Sequence, residues 1–251
     1  MTRVAIAAGG TGGHIVPAVA VARELLDQGV DVTWLGSGGP LEQRLLKGLR
    51  CTHHVTPVVS PRGGIVGMAR SARVLWRAVW KTVSLLRSQR PQALLGMGGF
   101  ASWPGGLAAR LLRIPLVLHE QNAVAGMANR VLAPLASAIC TGFPGTFAER
   151  PAASRQFTGN PVPAAIRRVG QLPVPSCSGG ALRILVLGGS QGAEILNRVV
   201  PGGLSLLAQA GVDLTVLHQC GATAESRVAA DYARFEVPAE VCPFIDDMAT
   251  A

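Results

Sequence analysis

Two glycine-rich loops constrain the fold of this chain more than any other feature of the sequence. Residues 9–14 (GGTGGH) follow a short apolar run at 4–8, and residues 188–193 (GGSQGA) follow a second apolar run at 182–187. Each loop leads into a segment whose apolar residues have helical spacing. Glycine permits a sharp turn and a close ligand, and the amino terminus of the next helix attracts an anion. The pattern predicts two α/β units with phosphate-binding turns; a tight turn without a ligand is the alternative for either loop.

The composition favours parallel strands that are covered by helices on both faces. Apolar residues make up 49% of the 251 residues, whereas aromatic residues make up 4% and charged residues 15%. The core must therefore be built from Val, Leu, Ile and Ala, which suits buried parallel sheets. A strand at 4–8, a helix at 17–28 and a strand at 30–35 predict the opening of a doubly wound unit. The same order recurs after residue 182, where the helical segment is expected to be interrupted near residues 201–203.

A proline- and glycine-rich segment predicts the domain boundary. Residues 170–180 (GQLPVPSCSGG) cannot sustain a helix or a strand, so we expect a linker between a first domain at 1–169 and a second at 181–251. The second domain falls short of the roughly 100–150 residues that a doubly wound domain needs. We therefore expect the second domain to be incomplete and the chain to be truncated or a fragment.

The charge of the chain indicates an anionic partner. Its 23 Lys and Arg against 14 Asp and Glu give +9, which attracts nucleic acid, anionic lipid or a phosphorylated substrate. Residues 65–89 place an apolar arc opposite a basic arc at helical spacing. The apolar arc holds Met68, Ala72, Leu75, Trp76, Val79, Trp80, Val83 and Leu86, and the basic arc holds Arg70, Arg73, Arg77 and Lys81. Such a helix either covers a core or lies on an anionic membrane surface. Nucleic acid is disfavoured because no recognition motif accompanies the stretch.

The loops lack the signatures of common nucleotide sites. The first loop does not match G-x-G-x-x-G, and Trp34-Leu35-Gly36 supplies no acidic residue for an NAD ribose at the end of the second strand. It also lacks the Gly-Lys-Ser/Thr ending that binds the phosphates of a hydrolysed nucleotide. The five cysteines are dispersed and have no metal-ligand spacing with histidine. The sequence therefore predicts neither a metal site nor a bound cofactor.

Histidines suggest two candidate catalytic positions. His14 stands at a helix start, where the positive dipole end disfavours imidazolium, so a neutral ring could act as a general base. A hydrogen-bonding or capping role is the equal alternative. His119 and Glu120 form a second candidate pair at the end of a strand, but adjacent strand residues point to opposite faces. We expect one of that pair to serve structure.

Taken together, these segments resemble the MurG family of bacterial glycosyltransferases. The resemblance rests on motifs that cover the whole chain in the family's order: GGTGGHIVPAVAVA (9–22), GMGGFASWPGGLAA (96–109), HEQNAVAGMAN (119–129), GNPV (159–162), GGSQGAEILN (188–197), HQCG (218–221) and FIDDMA (244–249). It implies a GT-B fold of two Rossmann-like, doubly wound parallel-sheet domains, the second incomplete here. The acceptor lipid is then expected on the first domain and the donor mainly on the second.

The resemblance also implies an activity and a location. The family is inverting: the 4-hydroxyl of an undecaprenyl-diphosphate-linked muramoyl pentapeptide attacks UDP-N-acetylglucosamine, and UDP leaves without a metal. The implied location is peripheral, on the cytoplasmic side of the cell membrane. By motif, His14 is the candidate base, and the positions that match donor contacts are Thr11, Gly12, Gly13, Asn122, Ser190 and Ile245.

The chain departs from the family pattern at two places. Pro163 stands where the family pattern GNPVR has an arginine, and Arg167 and Arg168 are the nearest cations that could replace it. The family also continues beyond FIDDMA into a segment that carries further donor contacts. The alternative function is therefore a non-catalytic remnant that binds the lipid diphosphate or the membrane without a complete donor site.

Overall fold

The computed structural model describes residues 2–56, 65–173, 180–189 and 192–251, and it describes residues 65–70 by their backbone only. The chain divides into two units, Met1–Pro163 and Ala164–Ala251. Part of the predicted linker, residues 174–179, lies outside the described residues. The predicted domain limits at 169 and 181 therefore stay a prediction.

A seven-stranded parallel sheet forms the centre of the first unit. Its strands are β1 (Arg3–Ala7), β2 (Asp31–Gly36), β3 (Thr52–Val55), β4 (Ala93–Gly96), β5 (Leu116–Glu120), β6 (Ala138–Thr141) and β7 (Arg155–Phe157). The spatial order is β3-β2-β1-β4-β5-β6-β7. The chain runs outward from β1 to β3 and then crosses to β4, so the strand order reverses between β1 and β4. Ligands in open α/β sheets bind at such a reversal, and the first glycine loop follows β1 there.

Alternating residues of the central strand feed two separate cores. Ala5 and Ala7 of β1 belong to the core on one face, and Ile6 packs into the core on the other face. The helices of this unit are α1 (Gly12–Asp27), α2 (Pro40–Leu46), α3 (Ile65–Gln89), α4 (Ser102–Leu112) and α5 (Met127–Leu132). Helices α1 and α2 contribute to the core of Ile6, whereas α3, α4 and α5 contribute to that of Ala5. Burial on both faces explains the near-continuous apolar strands.

The second unit repeats the design on a smaller scale. Its parallel strands β8 (Leu182–Leu187), β9 (Leu214–Gln219) and β10 (Ala239–Cys242) lie in the order β10-β9-β8. The unit also contains the helices α6 (Ala164–Val169), α7 (Glu194–Gln209) and α8 (Glu225–Arg234). A core around Val216, Val228 and Tyr232 joins the sheet to α7 and α8. The predicted recurrence of the strand–helix–strand order in the second unit is confirmed.

Prolines did not limit the helices as the sequence suggested. Helix α1 begins at Gly12, so Pro17 lies inside it, although the sequence predicted a start at residue 17. Helix α7 is continuous through Pro201, where the sequence predicted an interruption. A proline removes one intrahelical hydrogen bond. Burial of Pro201 against the core of the second unit offsets that loss, because tertiary packing can override helix propensity.

The basic stretch forms α3 and divides its predicted apolar arc between core and solvent. Val79, Val83 and Leu86 are buried in the core, whereas Trp76 is 56% exposed and Trp80 is 60% exposed. The core-covering role is therefore confirmed for one side of the helix. The two tryptophans lie on the solvent side among exposed cations, a placement that leaves the membrane interpretation open. Among the described residues, no helix combines the length and apolar character that crossing a bilayer requires.

A glycine in α4 allows close packing of α4 on α5, and its replacement should destabilise the first unit. A Cβ at Gly106 would lie 2.7 Å from a Leu132 side-chain atom. We expect Gly106→Ala to lower the free energy of unfolding by about 1–3 kcal/mol, the usual cost of overpacking a core. The matched control is Gly203→Ala in α7, where nothing lies within 4 Å of the added atom. That variant should be stabilised by up to about 1 kcal/mol. Urea unfolding monitored by circular dichroism measures both, and equal effects would contradict the packing explanation.

Candidate functional site

The first glycine loop gives the amino terminus of α1 neither a side-chain cap from Thr11 nor an acidic residue. Thr11 precedes the helix with an extended backbone, and its side chain makes no capping hydrogen bond. The first turn of α1 contains no acidic residue. The positive end of the helix dipole is therefore not neutralised by a neighbouring carboxylate in that turn, which favours a phosphate or another anion there.

His14 packs against a third glycine loop that follows β4. A Cβ at Gly98 would lie 3.1 Å from His14 Nε2, and one at Gly99 would overlap the carbonyl oxygen of Gly9. Gly99 has a φ of +74°. Glycine is needed at this position for both reasons, since a side chain would be strained and would push the two loops apart. The close approach of the loops at the strand reversal covers the imidazole in part, and His14 is half-buried.

The surroundings of His14 favour a neutral ring. Burial lowers the pKa of His14 below its ordinary value of 6.5, and the charge of Glu120 opposes this by raising the pKa. The sequence predicted this direction from the helix dipole, whereas the principal cause is burial beneath the loops. The Thr11 hydroxyl oxygen lies 3.3 Å from His14 Nδ1. If Nδ1–H donates to that oxygen, Nε2 holds the lone pair that a general base needs.

Glu120 organises the loop that carries Asn122. Its Oε1 accepts hydrogen bonds from the backbone N–H (3.0 Å) and the Nδ2 (2.9 Å) of Asn122. Its Oε2 accepts from the N–H of Gly126 (2.9 Å) and from Nδ2 of Asn129 (2.9 Å). The side chain of Glu120 is 1% exposed. Four donors replace the water that a carboxylate loses on burial.

His119 also serves structure. Its Nε2 donates to the carbonyl oxygen of Gly159 at 3.0 Å, which fixes the neutral tautomer that has the proton on Nε2. Burial lowers the pKa of His119. The sequence expected one member of the His119–Glu120 pair to be structural, whereas both side chains hold neighbouring backbone in place.

A second buried carboxylate, which the sequence did not reveal, supports the loop after β2. Glu42 of α2 is 0% exposed. It accepts hydrogen bonds from Trp34 Nε1, the Ser37 N–H and hydroxyl, the Gly38 N–H and His53 Nε2. An acidic side chain therefore does lie under the end of the second strand, although none follows that strand in sequence. It is surrounded by these donors and does not face a ribose.

The second glycine loop is held against the end of β9. The N–H of Gly188 donates to the carbonyl oxygen of Gln219 at 3.0 Å. A Cβ at Gly192 would overlap the carbonyl oxygen of Cys220, and its φ is +76°. Helix α7 then begins with Glu194, which pairs with Arg227 at 2.7 Å. That exposed ion pair partly offsets the acidic charge at the helix start. The predicted contact Ser190 lies outside the described residues.

A buried hydrogen-bond network between β9, α7 and α8 holds the same end of β9. Asn197 Nδ2 donates to the carbonyl oxygen of Cys220 at 2.9 Å, so its Oδ1 must accept the proton of His218 Nε2, 3.1 Å away. His218 Nδ1 is then the acceptor for the Tyr232 hydroxyl at 3.0 Å. Burial raises the pKa of Tyr232 to about 12, so the hydroxyl keeps its proton near neutral pH. The orientation of the Cys220 carbonyl follows from this chain.

The predicted site residues fall into two groups. Thr11, Gly12, Gly13 and His14 form the first loop and the start of α1. Asn122 lies in the same unit and donates to Glu120, which also accepts a hydrogen bond from Asn129. Ile245 belongs to the second unit, where its N–H donates to Gln219 Oε1 at 3.0 Å. Arg167 and Arg168 are exposed on α6. That either one takes the role of the family arginine, in whose place this chain has Pro163, stays a prediction.

The sequence named Glu120 as a candidate but did not reveal which groups it holds, and it missed Asn129. Both residues lie inside the motif HEQNAVAGMAN, so the motif held the signal, whereas their roles depend on contacts across the loop. The described residues contain no group of three or more histidines, cysteines or carboxylates placed to hold a metal ion.

Comparison with known families identifies both units. The glycosyltransferase family 28 N-terminal domain matches residues 4–141, and the glycosyltransferase family 28 C-terminal domain matches residues 183–251. The two matches follow the order of the two units along the chain.

Curated relatives match the chain along almost its whole length. One is the UDP-N-acetylglucosamine--N-acetylmuramyl-(pentapeptide) pyrophosphoryl-undecaprenol N-acetylglucosamine transferase of Xanthomonas campestris pv. campestris (strain B100). It is 46% identical over 99% of this chain and 57% of the relative. The protein of the same name from Alkalilimnicola ehrlichii is 44% identical over 99% of this chain and 69% of the relative. The chain thus spans 57% to 69% of the length of these relatives.

Solved structures agree with the fold. The crystal structure of Acinetobacter baumannii MurG has a TM-score of 0.72 and 36% identity, covering 100% of this chain and 70% of that one. A UDP-GlcNAc 2-epimerase from Neisseria meningitidis has a TM-score of 0.68 at 13% identity, covering 100% of this chain and 74% of that one, a likeness of fold alone. The predicted α/β GT-B fold class is confirmed.

The buried histidines should make the protein less stable in mild acid. Burial is the principal cause that lowers the pKa of His14, His54, His119 and His218 from 6.5. As the pH falls through 6.5, the unfolded chain binds protons before the folded chain does, so the free energy of unfolding decreases. We expect a plateau above about pH 7.5 and a decline below about pH 6.5. Urea unfolding across this range measures it, and stability that rises toward pH 5.5 would contradict the sign.

Proposed function

The chain belongs to glycosyltransferase family 28, and we propose that it transfers N-acetylglucosamine from UDP-N-acetylglucosamine to a lipid-linked acceptor. The acceptor in this proposal is the 4-hydroxyl of muramoyl pentapeptide on undecaprenyl diphosphate. Support comes from relatives whose names describe this transfer and which are 44% and 46% identical to the chain. The reaction belongs to peptidoglycan synthesis.

The observation that carries the proposal is the half-buried His14 at the strand reversal. An inverting displacement needs a base that takes the proton of the attacking hydroxyl. The lowered pKa of His14 favours a neutral imidazole, and Thr11 can orient the ring with the lone pair on Nε2. The amino terminus of α1 lies beside it, and its first turn contains no acidic residue, which suits a phosphate group. A base and an anion site thus occur together.

The departing UDP needs stabilisation of its developing negative charge. The second glycine loop offers backbone N–H groups at the start of α7, and such groups can stabilise a diphosphate without a metal ion. We propose that Ser190 and Ile245 contact the donor there, as the family motifs imply. Thr11, Gly12, Gly13 and Asn122 complete the proposed donor contacts in the first unit.

We further propose that the protein works at the cytoplasmic face of the cell membrane as a peripheral protein. Helix α3 presents Trp76 and Trp80 to solvent, at 56% and 60% exposure, in the same stretch as the exposed Arg77 and Lys81. Amphipathic aromatic rings and cations are the side chains that hold a helix in the interface of an anionic bilayer. This placement would bring the enzyme to a lipid-bound substrate.

Replacement of His14 tests the catalytic proposal. His14→Ala should lower kcat by about 10²–10⁴-fold, the usual contribution of a general base, and leave the Kd for UDP-N-acetylglucosamine nearly unchanged. The matched control is His54→Gln, which changes another histidine of lowered pKa on β3, away from the site. Transfer from radiolabelled donor to the lipid acceptor gives kcat, and calorimetric titration gives Kd. An unchanged kcat in His14→Ala would exclude this residue as the base.

The donor titration of the unchanged chain also separates the two candidate functions. Saturable binding of UDP-N-acetylglucosamine together with transfer supports the enzyme. Binding to lipid diphosphate or to anionic vesicles without saturable donor binding would instead support the non-catalytic alternative.

Loss of the exposed tryptophans should weaken membrane binding. We expect Trp76→Ala/Trp80→Ala to lower partitioning onto vesicles that contain anionic phospholipid by at least about tenfold, since burial of a large apolar side chain is worth roughly 1.5–3 kcal/mol. The control Phe157→Ala removes an aromatic residue of 60% exposure from β7 and should leave partitioning unchanged. Vesicle sedimentation measures both variants, and equal losses would refute a specific role for α3.

A further inference from the structure

The carboxylate of Glu120 divides its hydrogen bonds between two sides. Oε1 accepts both of its bonds from Asn122, and Oε2 accepts from Gly126 and Asn129. Because the side chain is 1% exposed, water does not compete effectively for these positions. The segments that bond to the two oxygens, Asn122 on one side and Gly126 and Asn129 on the other, are therefore fixed relative to each other.

The Oε1 side fixes how the Asn122 amide is presented to a ligand. One hydrogen of its Nδ2 is donated to Glu120 at 2.9 Å, which fixes the orientation of the amide. Asn122 is exposed, so its Oδ1 and the second hydrogen of Nδ2 are the amide groups left for a ligand. The base of the loop is fixed as well, because the Thr146 hydroxyl donates toward the carbonyl oxygens of Asn122 and Ala123 at 3.2 Å. The Asn122 amide is therefore presented in one orientation, as an acceptor through Oδ1 and as a donor through Nδ2.

The Oε2 side leads to His14 through Asn129. The Asn129 amide donates to Glu120 Oε2 and also to the carbonyl oxygen of His119 at 3.0 Å. The same nitrogen lies 3.5 Å from the place of a Cβ on Gly98, and the His14 ring reaches 2.9 Å from that place. Asn129 and His14 thus approach the same gap, which exists because Gly98 has no side chain.

We propose that Glu120 is a positioning residue of this site, which fixes the orientation of the Asn122 amide for hydrogen bonds to substrate and fixes Asn129 beside His14. The proposal rests on the proposed function in that it takes Asn122 and His14 to meet substrate. The proposal explains why a charge is buried that takes no part in the reaction itself. The carboxylate of Glu120 fixes the position of Asn122, the binding group, relative to that of His14, the base.

The charge of Glu120 gives the proposal a readout that does not depend on turnover. Thr11, Gly98, Gly99 and Asn129 surround His14 and carry no charge, and His119 on β5 has its own pKa lowered by burial. Within the described ranges, Glu120 is the charged group that acts on the His14 pKa, which it raises. Loss of that charge should therefore lower the His14 pKa further.

The test compares Glu120→Gln with Glu42→Gln in the whole chain. Both variants neutralise a fully enclosed glutamate that accepts hydrogen bonds from loop N–H groups in the same unit. In Glu120→Gln one side must face the new NH2 group in place of an acceptor, so we expect amide exchange at Asn122 or at Gly126 to rise by about tenfold, as a net hydrogen bond of ordinary strength is lost. We also expect a lower His14 pKa by NMR titration and a higher KM for the donor with a smaller change in kcat. Glu42→Gln should leave Asn122, Gly126 and His14 at wild-type values.

The outcomes distinguish this proposal from the proposed function. Unchanged exchange at both Asn122 and Gly126 together with an unchanged His14 titration in Glu120→Gln would overturn the positioning role, as would equal changes in both variants. The NMR readouts need neither donor nor acceptor. If the wild-type chain transferred no sugar while these readouts changed as expected, the proposed function would fail and the structural role of Glu120 would stand.

Discussion

The close approach of two glycine loops at the strand reversal is the contact on which the first-unit site depends. Gly99 adopts a positive φ and passes so near the carbonyl oxygen of Gly9 that no side chain fits between them. This contact brings the end of β4 beside the end of β1 and covers the His14 ring. The burial that lowers the His14 pKa is a consequence of that packing.

Buried carboxylates give two separate loops of the first unit a defined shape. Glu42 anchors the loop after β2, and Glu120 anchors the loop after β5, each by accepting hydrogen bonds from backbone N–H groups. A loop that lacks a regular hydrogen-bond ladder must satisfy its polar groups elsewhere. An enclosed carboxylate satisfies several at once, and it makes the position of each loop dependent on a single side chain.

The second unit reaches a comparable result with neutral groups. Asn197, His218 and Tyr232 form a chain in which each donor has one acceptor, and the chain ends on the carbonyl oxygen beside Gly192. Gln219 extends the arrangement to Ile245. The second glycine loop thus depends on a network within β9, α7 and α8, which is buried and uncharged near neutral pH.

The sequence by itself determined the fold class, the two units and the identity of the family, because glycine loops after apolar runs and ordered motifs are local signals. It also determined His14, Thr11 and Asn122 as candidate site residues. It misjudged Pro17 and Pro201, since packing of a helix against its core outweighed local propensity. Only the tertiary structure decided that Trp76 and Trp80 face solvent, that Glu120 holds Asn122 and Asn129, and that burial rather than the helix dipole keeps His14 neutral. These features depend on contacts between segments far apart in sequence, whose distances no local pattern encodes.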